Sequence, residues 1–395
     1  MLKKLILLLA PLFLLACSEE EVINNPWTAI REQFGSVIDP DNLENYSNQI
    51  RPAYITKDNT NGNAIEDKKA MLGRVLFYDK QLSIDNTVAC ASCHQQHLAF
   101  SSLGQSSKGV EGGLTGRHSM RLVNSRFAAE VKFFWDERAA SLELQTTQPI
   151  RDHAEMGFSG QNGRPDFSDF IEKLQNIGYY EELFTLAYGD PTVSEARIQQ
   201  SLAQFIRSIQ SFDSRFDAGR ATVNADNQPF PNFTQQENQG KNLFLLPPQF
   251  DPTGTRIAGG AGCAGCHNPP EFDISPASRN NGVVGKINST LTDFTNTRSP
   301  SLRNLTDPSG NLNGPMMHDG SFNSLESVIE HYNSIPNHPD NINLDLRLRP
   351  NGSTQKLQLT DAEKQALVAF LKTLSGSAVY TDKRWSDPFQ AADPN

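Results

Sequence analysis

Two pentapeptides decide how this chain is read: Cys90-Ala91-Ser92-Cys93-His94 and Cys263-Ala264-Gly265-Cys266-His267. Each has the pattern C-x-x-C-H. Two thiols at that spacing can both add to the vinyl groups of one haem, and the adjoining histidine then falls beneath the iron as its proximal ligand. The same spacing also describes a redox-active dithiol or one half of a zinc site. Zinc would require the two dithiols to converge in space, although each already carries its own histidine. The motifs are far apart in sequence, which gives one per domain. Few alternating strand patterns occur anywhere. The fold expected is therefore mainly α, with two cytochrome c-like domains, each holding one covalent c-type haem.

The bulk numbers agree with a protein of that kind. A chain of 395 residues can bury two cores. With 37% hydrophobic residues and a net charge of -10, its body reads as soluble and globular. The acidic balance disfavours nucleic acid and suits a basic or neutral protein partner. Four of the five cysteines belong to the two motifs and the fifth is Cys17, so none is left over for an internal disulfide.

The chain opens with Lys3 and Lys4, then an apolar run from Leu5 to Leu15 that is too short to span a membrane. The run ends Leu14-Leu15-Ala16-Cys17, which resembles a bacterial lipobox and implies cleavage before Cys17 and lipidation there; an ordinary signal peptide is the other reading. Haem c attachment independently calls for export. The expected location is the periplasm or outer membrane, held by a lipid anchor. The acidic run Ser18-Glu19-Glu20-Glu21 reads either as a surface-export tag or as a solvated tether.

Beyond that leader (residues 1–17), 18–60 reads as a tether and irregular arm, 61–225 as a first haem domain, 226–380 as a second, and 381–395 as a tail. Helices are expected over Ile65–Tyr78, Ser141–Gln148 and Leu325–Tyr332, and in amphipathic segments between Arg164 and Asp190. The strongest pattern in the first half is Ser194–Phe212, with Ser194 as N-cap. Thr234 with Glu237, and Thr360 with Glu363, form capping boxes for helices in the second half. The polar stretch 217–232 is the expected domain boundary. The glycines between Ser101 and Thr115 mark a loop that can border a substrate pocket.

An enzyme differs from an electron wire by an iron with an exchangeable sixth position and an acid-base group beside it. Between Phe133 and Phe158 the chain offers Trp135, Gln145 and Glu155 for such roles. From the residues alone, Glu155 reads first as a helix cap or a solvent-facing acid, and Trp135 as core packing. An ordered set of motifs adds to this: LGRVLFYD (72–79), CASCH, FWDERA (134–139), LELQ (142–145), AEMG (154–157), Leu243-Phe244 before CAGCH, SPSLRN (299–304) and MMHDGSF (316–322). With these, residues 65–375 resemble the bacterial dihaem cytochrome c peroxidase family, including its methylamine-utilisation branch, which oxidises a protein tryptophan.

That resemblance implies two covalent haem c groups, with His94 and His267 as proximal iron ligands. It implies peroxide chemistry at the His94 haem, with Glu155 as general acid-base, Gln145 beside it, and Trp135 lying between the cofactors. Glu137 stands where better-known members have Gly. Many members cap the first iron with a His from the glycine loop. Here that position falls near Val110, so the capping His is absent and the first haem is expected to be five-coordinate or water-ligated. His97 and His118 are rival caps. Tyr332 falls where the peroxidases carry a Met ligand to the second iron and the tryptophan-oxidising branch a Tyr; Met316, Met317 and His331 are alternatives, Met317 foremost. Asn313 and Pro315 match carbonyl ligands of an inter-haem calcium, while His118 replaces an Asn at that site. His153 and His338 read as structural or solvent-facing. The family further implies hydrogen peroxide as substrate, a small cytochrome or cupredoxin as donor, and a homodimer. Three functions follow: a dihaem peroxidase, a peroxide-dependent oxidase of a protein or organic partner, and a non-enzymatic electron-transfer lipoprotein.

Overall fold

The protein is described by a computed structural model over residues 26–389. Cys17, the apolar leader and the acidic run after it lie outside the described residues. Among the described residues the helices are α1 (Thr28–Phe34), α2 (Asp67–Tyr78), α3 (Cys90–Cys93), α4 (Leu142–Thr146), α5 (Gln148–Arg151), α6 (Phe167–Gln175), α7 (Gly178–Tyr188), α8 (Glu195–Ser208), α9 (Arg215–Arg220), α10 (Gln235–Leu245), α11 (Leu325–Asn333) and α12 (Asp361–Lys372). Strands are few: β1 (Pro248–Phe250) pairs antiparallel with β2 (Arg256–Gly259), and β3 (His267–Asn268) with β4 (Asp273–Ile274).

The helix starts follow the caps. Ser194 Oγ accepts the Arg197 amide, and Thr234 and Thr360 each close a reciprocal box with the glutamate three residues on. Losing such a hydroxyl costs about 1 kcal/mol. Ser194→Ala is accordingly expected to lower unfolding stability by about that amount, read by chemical denaturation, with no change at the cavities described below.

Two helix pairs organise the cores. In the first, α2 lies so close to α8 that a Cβ on Gly73 would sit 2.0 Å from the Ser201 carbonyl oxygen. In the second, α10 lies on α12 and a Cβ on Gly240 would sit 1.8 Å from the Ala366 carbonyl oxygen. Four residues after each glycine comes a buried phenylalanine. Phe77 packs on Phe205 of α8, and Phe244 packs on Phe370 of α12. The two halves thus repeat one design, in which glycine permits close helix crossing and an aromatic ring fills the space beside it.

Several boundaries differ from expectation. The eighth helix ends at Ser208, not Phe212, because Asn124 takes over the backbone: its amide donates to the Ile209 carbonyl, and its side chain bonds both the amide and the carbonyl of Ser211. Phe216 on α9 already belongs to the second core, which moves the crossover upstream of 217–232. Arg303, fully buried, pins that helix through an ion pair with Asp217 at 2.6 Å. Residues 18–60 are not merely an irregular arm. Their described part carries α1, whose Ala29 and Ile30 amides are capped by the Glu182 carboxylate, and it buries Ile30 and Tyr46 in the first core. The segment from 381 is likewise no free tail as far as residue 389. Trp385 is buried in the first core, and its carbonyl accepts the Tyr78 hydroxyl. Both ends of the described chain therefore close on the first core. No described helix is long and apolar enough to cross a membrane.

Candidate active site

The first motif forms the short turn α3, and Cys90, Cys93 and His94 line a cavity of about 740 Å³. The Ala89 amide donates to Ser92 Oγ and the His94 amide to the Cys90 carbonyl, which fixes the turn. His94 Nδ1 lies 3.2 Å from the Phe100 carbonyl oxygen, so it carries the proton and leaves the Nε2 lone pair free. Burial pushes the Cys90 thiol up to about 12 and the Cys93 thiol up to about 11, and it pushes the His94 imidazole down to about 4. The thiols are therefore protonated and the ring neutral near pH 7.

Gln145 from α4 and Glu155 line the same cavity. The Glu155 carboxylate makes no hydrogen bond to another described residue. Burial, joined by the charge of Asp152 and opposed by that of Arg138, raises its pKa from 4.5 to about 7. The glycine loop sets its position: the Val110 amide donates to the Glu155 carbonyl at 3.0 Å, and Gly109 lies directly against the backbone of residues 154 and 155. Val110 itself is buried in the first core, not directed at the cavity.

Trp135 lines this cavity and the second one as well. Its indole Nε1 donates to the His118 carbonyl at 2.8 Å, and its own carbonyl accepts from the Thr297 and Arg298 amides. Its ring meets that of His318 edge-on at 6.3 Å. Asn296 donates to His318 Nδ1, and His318 Nε2 donates to the Gly285 carbonyl, so both ring nitrogens are committed. Arg117 ties Asp136, beside the tryptophan, to Asp293 of the second half.

The second cavity, about 630 Å³, is lined by Cys263, Cys266 and His267, with Tyr332, Met316 and Met317. Burial raises Cys263 to about 12 and Cys266 to about 11, and lowers His267 to about 4. The buried Nδ1 of His267 has no hydrogen-bond partner among the described residues. Asn281 Nδ2 donates both to the Tyr332 hydroxyl at 3.2 Å and to the Met317 sulfur at 3.4 Å, so both candidate ligands converge on one side chain. His331 is excluded from that role, since its Nε2 bonds the Asn281 carbonyl and it does not line the cavity. If Tyr332 ligates a haem held by Cys263 and Cys266, Tyr332→Phe is expected to change that haem's absorption spectrum while leaving it attached. An unchanged spectrum would move the ligand to a methionine.

The other expected residues divide between the cavity walls and the rest of the fold. His97 is exposed. His118 is buried and lines both cavities, but its Nδ1 is bonded to the Gly104 carbonyl and its Nε2 lies 3.4 Å from Ser101 Oγ, so both ring nitrogens are engaged. His153 bonds Ser159 and plays a local structural part. The Asn313 amide donates to the Asn304 carbonyl and the Tyr380 hydroxyl, while Pro315 lines the second cavity. Arg121, Arg298 and Asn281 line the cavities without having been singled out by sequence. Arginine and asparagine are common enough that no spacing marks them.

The residues fit two c-type haems. Each cavity has the size usual for a cofactor site, roughly 300–1,000 Å³. Each also holds a thiol pair and a buried neutral imidazole. The two motifs line separate cavities and do not converge, which removes the shared zinc site, and no cluster of three metal-ligating side chains occurs among the described residues.

Comparison with known proteins agrees. The family model for di-haem cytochrome c peroxidase matches residues 67–224. The chain is 31% identical over 324 residues to methylamine utilization protein MauG of Methylophilus methylotrophus, covering 80% of this chain and 85% of that protein. It is 27% identical to cytochrome c551 peroxidase of Nitrosomonas europaea, covering 78% and 80%. Its fold is similar to the crystal structure of a MauG-like protein associated with microbial copper homeostasis, with a TM-score of 0.67 at 28% identity over 87% of this chain and 99% of that one.

Proposed function

The chain belongs to the di-haem cytochrome c peroxidase and MauG family, and from that membership we propose that it reduces hydrogen peroxide to water at the His94 cavity with electrons from a small redox protein. One observation carries this reading: the cavity of the first C-x-x-C-H motif is lined by a carboxylic acid free of hydrogen bonds, Glu155, and by no histidine able to cap an iron. Cys90, Cys93 and His94 would hold one haem, and Cys263, Cys266 and His267 the other. When bound, the haems supply the iron that receives peroxide and the route for its electrons. Glu155 would take a proton from one peroxide oxygen and return it to the other, which would leave as water. Gln145 orients the peroxide through its amide. The balance is one peroxide, two protons and two electrons giving two waters. Trp135, lining both cavities, would relay charge between them.

Tyr332 favours a second reading. A phenolate is hard and anionic and stabilises oxidised iron, which suits withdrawal of electrons from a protein or organic partner. Export and lipid anchoring through Cys17, in the periplasm or outer membrane, belong to the same proposal and rest on the lipobox-like sequence. Calcium near Asn313 and Pro315, and pairing of two copies, rest on the family pattern.

The test uses the oxidised holoprotein, followed by optical and electron spin resonance spectra. Peroxide is expected to abolish a high-spin signal, which returns as two equivalents of a reduced cytochrome or cupredoxin are consumed. A persistent oxidised state with slow donor turnover would favour the second reading. Two low-spin haems inert to peroxide would sink both.

A further inference from the structure

We propose that Arg121 and Arg298 are positioning residues that bind the propionate carboxylates of both haems, so that one cationic bridge in the wall beside Trp135 seats the two cofactors together. The inference rests on the haem reading above. Both arginines line both cavities. Both are buried, at 9% and 6% exposure, and neither forms an ion pair with a described residue, although the charges of Glu130, Glu137 and Asp273 reach Arg298 from beyond contact. Among the described residues, Arg121 donates only to the carbonyls of Arg303 and Ser301. Arg298 donates through Nη1 to the carbonyls of Glu130 and Lys132, lies over the Phe133 ring at 4.4 Å, and keeps a buried Nε with no partner. Two other buried guanidiniums do have a carboxylate, Arg303 with Asp217 and Arg207 with Glu143, whereas Arg74 is held by Ser386.

A buried cation without a counter-ion is costly, and carbonyl oxygens compensate it only in part. Burial accordingly lowers both groups to about 10. No described carboxylate contacts either guanidinium, and an occupant of the cavities would supply one. Each haem carries two propionates, and a guanidinium is the side chain that matches a planar carboxylate through paired hydrogen bonds. The backbone of Arg298 also donates to the Trp135 carbonyl at 3.0 Å. The residue that seats the cofactor edge therefore also fixes the indole between the cavities.

The experiment is spectroelectrochemical titration of holoprotein carrying Arg121→Gln or Arg298→Gln, after haem content has been counted. Loss of a positive charge beside the porphyrin favours ferric iron. Each single variant is thus expected to lower the potentials of both haems while two haems per chain remain, and Arg298→Lys should restore part of the shift. Two haems with both potentials unmoved, or with only one moved in each variant, would overturn the bridge. A wild-type chain lacking two haems would instead overturn the functional reading. Should the variants fail to fold, redox difference infrared spectra of wild type carrying carboxyl-13C haem decide the matter. Labelled bands of buried, guanidinium-bonded carboxylates support the bridge, and bands of water-exposed carboxylates refute it.

Discussion

Replacing Glu155 with Gln is expected to slow the reaction with peroxide about 10²–10⁴-fold, the range for removal of a positioned proton carrier, with both haems still attached. The amide keeps the size of the side chain and its ability to hydrogen-bond but cannot take a proton. The pH dependence gives a second signature. Burial holds Glu155 at about 7, and the step needs the carboxylate, so peroxide reactivity should rise with pH to a plateau just above neutrality. In Glu155→Gln that inflection should vanish. The stability sign is opposite to that of a salt-bridged acid. A raised folded-state pKa means that the native chain holds its proton more tightly than the unfolded chain, so the group's relative contribution is lost as pH rises from 4.5 through about 7. At pH 8 the variant should therefore unfold at no lower temperature than wild type. A few-fold rate effect, or the same pH profile in both proteins, would remove Glu155 from the chemistry.

What the sequence reveals here depends on distance along the chain. Cap residues act on amides three positions away, so Ser194, Thr234 and Thr360 announced their helices. The C-x-x-C-H spacing is equally local, and each of its thiol pairs lines a cavity together with its histidine. Contacts made far away in sequence left weaker marks. Asn124 ends α8 early by bonding residues 209 and 211, which no periodicity in that helix could reveal. The described parts of the arm and tail lack a repeating apolar stripe. They are fixed by single anchors such as Tyr46 and Trp385, whose partners lie hundreds of residues off. One long-range feature was legible in retrospect. Gly73-Arg74-Val75-Leu76-Phe77 and Gly240-Lys241-Asn242-Leu243-Phe244 share a spacing of glycine, base, leucine and phenylalanine, and structurally each is the crossing point of its helix pair. The pockets divide similarly. Glu155 and Trp135, singled out by motif order, line the first cavity, but Arg121 and Arg298 stand out only by being buried, cationic and outside any ion pair with a described residue.

Gly109→Ala is expected to cost about 10²-fold in peroxide reactivity, the penalty typical of displacing a reacting group by about 1 Å, although residue 109 need touch neither haem nor peroxide through any side chain. The backbone there is extended, so an alanine meets no conformational strain. The obstacle is space. Its Cβ would lie 1.9 Å from the Ala154 carbonyl oxygen and 2.7 Å from that of Glu155. Backbone atoms at that range cannot swing aside like a flexible side chain, so the 154–155 segment must retreat, with the acid that it carries. The adjacent hydrogen bond from the Val110 amide to the Glu155 carbonyl would lengthen with it. Haem attachment and the bulk of the fold should survive, because α3 is held by its own bonds to Ser92 and Cys90. A double-mutant cycle separates displacement of Glu155 from general damage. In the Glu155→Gln background there is no proton carrier left to misplace, so Gly109→Ala should cost at most a few-fold. If it costs the same hundredfold there, the glycine acts on something other than the acid, and the loop's role as a bracket for Glu155 is wrong.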